Sequence, residues 1–211
     1  MDTSTPPISV ALRPPHHLTT ATHTVPLPTP AQMVGTWWVT HSSLPLWRSK
    51  RNVRITYTIL PFKSSPTFDK PNPPTRIDDL VEYQTLTSTA SKTVHGTDTE
   101  HSTVPCVFNW RGAGLLAVAS SQWEVLGWGR SKDDPGEEWM VTYFAKTVFT
   151  PAGLDLYSRR KGGVSQETWK AIMDQLGAVN GLGRAEGHAD LGRLIGALFA
   201  VKMDSGDGIV G

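Results

Sequence analysis

Gly35-Thr36-Trp37 opens the run Trp37-Trp38-Val39-Thr40-His41, whose aromatic and β-branched residues favour an extended, half-buried strand. Downstream, Arg51 to Leu60 alternates strictly: Val53, Ile55, Tyr57 and Ile59 share one face, and Arg54, Thr56 and Thr58 share the other. Period-two patterning of this kind marks an antiparallel strand with one face on a core and one in water. Leu80 to Thr87 and Lys92 to His101 read as polar, threonine-rich strands. Val104 to Trp110 and Leu115 to Ala119 bracket the turn Gly112-Ala113-Gly114. Gln122 to Gly129 and Trp139 to Phe149 are joined by Ser131-Lys132-Asp133-Asp134-Pro135-Gly136, and Leu154 to Arg159 is the last strand. Seven or eight short strands in consecutive hairpins predict an all-β chain folded as an up-and-down antiparallel β-barrel, with the proline-rich loop Pro61 to Pro74 at its mouth.

Both flanks differ from this pattern. Residues 1–30 carry Pro6, Pro7, Pro14, Pro15, Pro26, Pro28 and Pro30, and read as a disordered or loosely draped leader. They lack the apolar stretch of a secretory signal. No apolar run reaches the roughly 18 residues that a membrane span needs, so a soluble, cytoplasmic protein is expected. After Arg159, Ser165 caps a helix in which Trp169, Ile172, Met173 and Leu176 form one apolar stripe, with Gly177 at its end. Residues 31–177 thus form a barrel plus a C-terminal amphipathic helix. Residues 178–211 hold a glycine-rich linker and a further terminal helix from Asp190 to Met203, with Leu191, Leu194, Ile195, Leu198 and Phe199 on its apolar face. Gly192 and Gly196 permit close approach, either to the same barrel or to a second copy in a homodimer.

The Gly35-x-Trp37 motif at the head of the strands, with Tyr157-Ser158-Arg159 and a helix at their end, resembles the lipocalins. The likeness covers about residues 33–176, is best from Trp123 to Leu176, and is nearest to the signal-less or bacterial-type lipocalins. It implies a barrel of about eight strands, closed at one end where Trp37 lies across the floor and Arg159 packs on its indole. The family's middle Thr-Asp-Tyr signature is missing, Val141-Thr142-Tyr143 being nearest. A barrel of this size is either filled by its own side chains or holds one small ligand.

The net charge of +1 gives no reason to expect a nucleic-acid partner. Cys106 is the only cysteine, so an internal disulfide is excluded, and its apolar strand context predicts buried packing. Alternation selects an inward set of candidate ligand-binding residues: Val39 and His41 beside Trp37, Ile55 and Tyr57, Tyr83, His95, Phe108 and Trp110, Trp123, and Tyr143. Gly127 is expected to leave room beside the Trp123 indole. His41, Tyr57 and His95 are the candidates for acid–base chemistry, with Tyr83 and Glu124 behind them. The leader histidines His16, His17 and His23 are expected to be inert, and Asp98-x-x-His101 lacks a third ligand, so no metal and no cofactor are expected. Nucleophile-elbow, phosphate-loop and nucleotide fingerprints are absent. The expected function is binding of a small hydrophobic molecule in the barrel interior. The alternative is a cofactor-free cyclase or isomerase of specialised metabolism, such as a cycloaddition catalyst, using the same pocket.

Overall fold

The alternating runs pair, each with its neighbour in sequence, into one antiparallel sheet that curls until its first and last long strands meet. In the computed structural model, which describes residues 9–19, 24–61, 74–131, 134–185 and 190–204, the strands are β1 (Gly35–Ser42), β2 (Lys50–Ile59), β3 (Arg76–Thr85), β4 (Ser91–Glu100), β5 (Val107–Gly112), β6 (Ser120–Arg130), β7 (Glu138–Phe144) and β8 (Gly153–Ser158). β1 pairs with both β2 and β8, which closes an eight-stranded up-and-down barrel. Helix α1 (Pro30–Met33) precedes the barrel, and α2 (Gln166–Ala185) and α3 (Asp190–Gly196) follow it. Nearly all of the proline-rich loop, residues 62–73, lies outside the described residues, as does His23. Leu115 to Ala119 is not a strand: a 3₁₀ turn at Gly114–Leu116 takes its place, and the chain re-enters the sheet at Ser120. The strand expected to reach Phe149 stops at Phe144, leaving Val148 and Phe149 exposed.

The closed end is built around Trp37. Its indole Nε1 donates to the Met33 carbonyl at 2.8 Å, and the Arg159 guanidinium lies 3.7 Å from its ring centre. Arg159 also donates to the carbonyls of Gln32 (2.6 Å), Val34 (2.9 Å) and Thr36 (3.2 Å), and pairs with Glu138. One cation therefore ties α1, β1 and the end of β8 together. Gly35 enters β1 at φ +98°, a conformation that disfavours any side chain, and a Cβ there would sit 3.2 Å from Arg159 Nη1.

Two apolar layers share the wall of the barrel. Inside lie Trp37, Val39, Val53, Phe108, Trp123 and Met140 among others. Outside β6 to β8, Leu126, Val141, Tyr143, Leu154 and Leu156 are covered by Ile172, Leu176 and Val179 of α2, by Leu191 and Leu194 of α3, and by Val10 and Leu12 of the leader. Residues of β7 and β8 are therefore buried on both faces, and their sequences lose the alternation seen in β2.

Three expectations about the flanks change. The described part of the leader is packed rather than loose: Arg13 N donates to the Leu126 carbonyl at 2.8 Å, and its Nε donates to the Val125 carbonyl at 3.0 Å. Gly177 does not end α2, because the buried face continues through Val179 and outweighs a glycine cost of about 1 kcal/mol. The terminal helix stops at Gly196, and Phe199–Ala200 forms a short strand, β9, instead. β9 pairs with the far half of β1, Val201 N donates to the Thr40 carbonyl, and Lys202 bridges to Arg51 of β2. The C-terminal segment is thus inserted where β1 and β2 splay apart. Gly192 makes its close approach within the chain: a Cβ there would lie 2.9 Å from the Asn180 side chain of α2.

Gly127 does not open space inside the barrel. A register shift between Val125 and Gly127 turns it outward, where a Cβ would sit 2.5 Å from the Ala11 carbonyl oxygen. Gly127→Val is therefore expected to lift the leader off β6. Limited proteolysis should then cut within residues 9–19 at least roughly tenfold faster, since removing this contact disfavours the closed state by more than 1 kcal/mol. Unchanged cleavage would mean that the leader is held elsewhere.

Candidate ligand cavity inside the barrel

Above the floor layer the barrel holds a cavity of about 290 Å³, at the small end of the roughly 300–1,000 Å³ usual for ligand pockets. Ile55, Tyr57, Val81, Trp110, Trp123 and Phe144 wall it. Leu44, Leu46 and Trp47, from the β1–β2 connection and its 3₁₀ turn (Pro45–Ser49), fold over it. Trp123 is the centre of the aromatic packing, with ring centres 4.7 Å from Phe108, 5.8 Å from Tyr57 and 6.1 Å from Phe144, all stacked.

Two carboxyl groups, Asp79 and Asp155, line this apolar space, and a third, Asp98, lies next to Asp79. Ile77, Asp79, Val81 and Tyr83 share the inner face of β3, and Asp98 reaches the same interior from β4. Asp79 and Asp98 stand within hydrogen-bonding reach of each other, and Asp98 Oδ1 accepts from Trp123 Nε1 at 2.7 Å. Burial pushes Asp98 up to about 7, and it holds Asp79 well above the usual carboxylate range, with the charge of Asp98 adding to the effect. Two buried carboxyls so placed hold a proton between them at neutral pH. On β8, Asp155 accepts from Ser42 Oγ at 2.5 Å and from Trp47 Nε1 at 3.3 Å, and burial pushes it too up to about 7. Ser42 Oγ in turn accepts from Leu44 N at 2.9 Å, so Asp155 anchors the segment that covers the cavity. Tyr57 and Tyr157 are fully buried beside these acids, and desolvation raises both phenols well above their ordinary value. Among the described residues, Asp79 Oδ1 and Asp98 Oδ2 receive no donor beyond the contact between the two carboxyls, the Tyr157 hydroxyl has only the hydroxyls of Tyr57 and Thr142 in reach, and no Lys, Arg or His lines the cavity.

Of the expected ligand-binding residues, Ile55, Tyr57, Trp110 and Trp123 line the cavity together. Phe108 lies under Trp123, and Val39 belongs to the buried layer next to the floor. Tyr83 is half-buried, its ring centre 6.1 Å from Trp47 and 5.3 Å from the Lys50 ammonium. Three candidates lie elsewhere. A bulge at Thr40 reverses the parity of β1, so Ser42 faces in and His41 faces out, stacked on Trp169 of α2 with ring centres 4.0 Å apart; burial lowers its pKa. His95 has a side chain 51% exposed and pairs with Asp78 outside the barrel at 2.7 Å, because Val94, Gly96 and Asp98 hold the inner face of β4. Tyr143 belongs to the outer layer, since Thr142 and Phe144 take the inward positions of β7. His41 and His95 are therefore not positioned to act on a molecule in the cavity.

Glu124 is buried under the leader, where Arg13 (3.4 Å) and His16 (2.9 Å) pair with it. The ligand-type atoms of His16, His17 and Glu124 lie within 4.8 Å of one another; His16 pairs with Glu124 and the His17 ring lies 5.4 Å from that of Tyr143, so these leader histidines pack on the barrel rather than hang free. Cys106 is buried, its Sγ donates to the Pro28 carbonyl at 3.2 Å, and burial pushes the thiol up to about 12, as suits packing rather than nucleophilic chemistry.

Sequence reasoning missed Asp79, Asp98, Asp155, Tyr157 and Trp47. The signal was present for two of them: the parity that puts Val81 and Tyr83 inside puts Asp79 there as well, and Asp155 shares its face with Tyr157.

A structure of a biogenic amine-binding protein superposes on this chain with a TM-score of 0.50 at 10% identity, over 87% of this chain and 86% of that one. The chain has the lipocalin fold. Apocrustacyanin C2 superposes with a TM-score of 0.49 at 9% identity, over 82% of this chain and 78% of that one, and the siderocalin Ex-FABP with 0.45 at 13%, over 83% and 96%. At such identities the likeness is one of fold. No family model and no curated protein matches the sequence.

Proposed function

We propose that the barrel interior binds one small molecule with an aromatic or otherwise flat apolar body. The observation that carries this reading is the cavity walled by Trp110, Trp123, Phe144 and Tyr57, with the rings of Tyr57 and Phe144 stacked on Trp123. Burying ligand surface there yields about 25 cal/mol per Å² of apolar area, and the pre-set aromatic walls spare the entropy of ordering them. Titration with the neutral dye N-phenyl-1-naphthylamine tests it: fluorescence should rise and saturate at one dye per chain. Val81→Trp, which fills the cavity from β3, is expected to weaken dye binding by at least roughly tenfold, as steric exclusion costs 1–3 kcal/mol, while far-ultraviolet dichroism stays the same. Dye binding indifferent to Val81→Trp would place the dye on the surface and sink the reading.

The same cavity supports the second reading, a cofactor-free isomerase or cyclase. The feature in its favour is the Asp79–Asp98 pair, which offers a proton near neutral pH in an aromatic-walled space beside Tyr57. Under this reading product accumulates far beyond the protein's molar amount and Asp79→Asn stops it; ligand recovered unchanged and in proportion to protein is the result of binding alone.

A further inference from the structure

We propose that the molecule held in this cavity is a small aromatic or apolar amine, bound as its cation with the ammonium group on the Asp79–Asp98 pair beside Tyr157. The inference rests on the binding reading above and adds the charge and the polar end of the ligand. Three observations carry it. The charged side chains that reach the cavity are acidic, Asp79 and Asp155 at the wall and Asp98 behind Asp79, and no described cation lines it. Apart from the contact between the two carboxyls, Asp79 Oδ1 and Asp98 Oδ2 are buried with no donor from any other described group, whereas buried polar atoms as a rule are satisfied, and the Tyr157 hydroxyl beside them has only neighbouring hydroxyls, those of Tyr57 and Thr142, in reach. The walls next to them are π faces, Tyr57 and Trp123, stacked at 5.8 Å.

An ammonium group fits all three. It carries three N–H donors and no acceptor, so it can serve two carboxylate oxygens and a phenol oxygen at once. Its charge is attracted by carboxylates and by aromatic faces alike. A carboxylate ligand would instead meet like charges in a desolvated space, and a neutral alcohol brings only one donor.

Binding exchanges one cation for another. The ammonium takes the place of the proton held by the pair, and that proton leaves to solvent, so the complex keeps the charge of the free site plus one ammonium minus one proton. The groups that face the pair are Tyr57 from β2, Trp123 from β6 and Tyr157 from β8, with Asp155 beyond Tyr157 on the same strand; Asp78 and His95 lie behind Asp79 on the outer surface. Within this set no fixed cation competes for the carboxylates from inside the barrel.

Calorimetric titration of the full chain with 2-phenylethylamine, 2-phenylethanol and 3-phenylpropionate tests the proposal. At pH 8 the amine is expected to bind at least about tenfold more tightly than the alcohol, a ratio in keeping with a desolvated charge-assisted contact, and the carboxylate is expected not to bind. In the Asp79→Asn, Asp98→Asn protein, checked for a cooperative thermal transition, the amine-to-alcohol ratio should fall to near one. Wild-type protein gives an independent reading at pH 6: titrations in two buffers of different ionisation enthalpy should show proton release with the amine and none with the alcohol. Equal binding of amine and alcohol, or a preference that survives both substitutions, overturns the proposal while N-phenyl-1-naphthylamine binding upholds the cavity. Absence of dye binding as well overturns both readings.

Discussion

Trp37→Ala is expected to cost about 3–5 kcal/mol of stability, the range for truncating a large buried aromatic side chain. Trp37 is fully buried, and its loss would remove the indole's bond to the Met33 carbonyl and the surface on which Arg159 lies. Domains of this size are stable by about 5–15 kcal/mol, so the variant should unfold at a far lower urea concentration. Arg159→Lys separates the two contributions. Lysine keeps the charge but loses the planar fork that reaches three carbonyls and Glu138, so a loss of about 1–3 kcal/mol is expected from the unmet acceptors. An unchanged unfolding midpoint for Trp37→Ala would show that the closed end is held by something other than this pair.

The second large effect is on pH dependence, measured by urea unfolding from pH 4 to pH 8. Asp98 and Asp155 titrate near 7 in the folded protein because of burial, against about 3.9 when unfolded. Between those values the folded state holds protons that the unfolded state has released, so stability falls as pH rises from about 4, and Asp79, held well above the carboxylate range, keeps the slope in the same direction beyond the point where Asp98 and Asp155 have ionised. At about 1.4 kcal/mol per pH unit, the loss is on the order of 4 kcal/mol for each of the two groups. Asp98→Asn should flatten part of this slope and stabilise the ligand-free protein at pH 8 by a few kcal/mol. The asparagine oxygen can still accept from Trp123 Nε1, and its amide can donate to Asp79, which reproduces the protonated acid. A variant less stable than wild type at pH 8 would mean that the Asp98 carboxylate is charged and satisfied in the folded chain. A ligand cation that stabilises wild type but not Asp98→Asn would link this measurement to the amine proposal.

The fold was legible because its two decisive signals are local. β2 alternates over its whole length, and the Gly35-x-Trp37 and Arg159 positions flank the strand series. The pocket was legible in part. Parity assigned Ile55, Tyr57, Trp110 and Trp123 to the cavity, where the strands run without interruption. It failed for His41 because one bulged residue reverses every side chain beyond it. It failed for Tyr143 because α2 and the leader bury the outer face of β7, so that hydrophobicity no longer tells inside from outside. The acids were missed for a different reason: in a strand read by hydrophobicity, a carboxylate marks the wet face, and Asp79, Asp98 and Asp155 break that rule. The packed leader and β9 have no period of their own; only their partners across the fold give them structure.

The insertion of β9 gives the molecule an order of assembly. β1 and β2 part company beyond the Trp38–Arg54 pair, and the gap is bridged by Phe199, Ala200, Val201 and Lys202. While the chain is being synthesised, every other strand of the barrel has emerged before these four residues exist. Until they dock, the upper halves of β1 and β2 are bare strand edges, open to pairing with the edges of another nascent copy. The last strand made is thus the seam-sealer, and a stop codon placed before Phe199 should give a protein whose fault is not a missing pocket residue but a tendency to stick to itself.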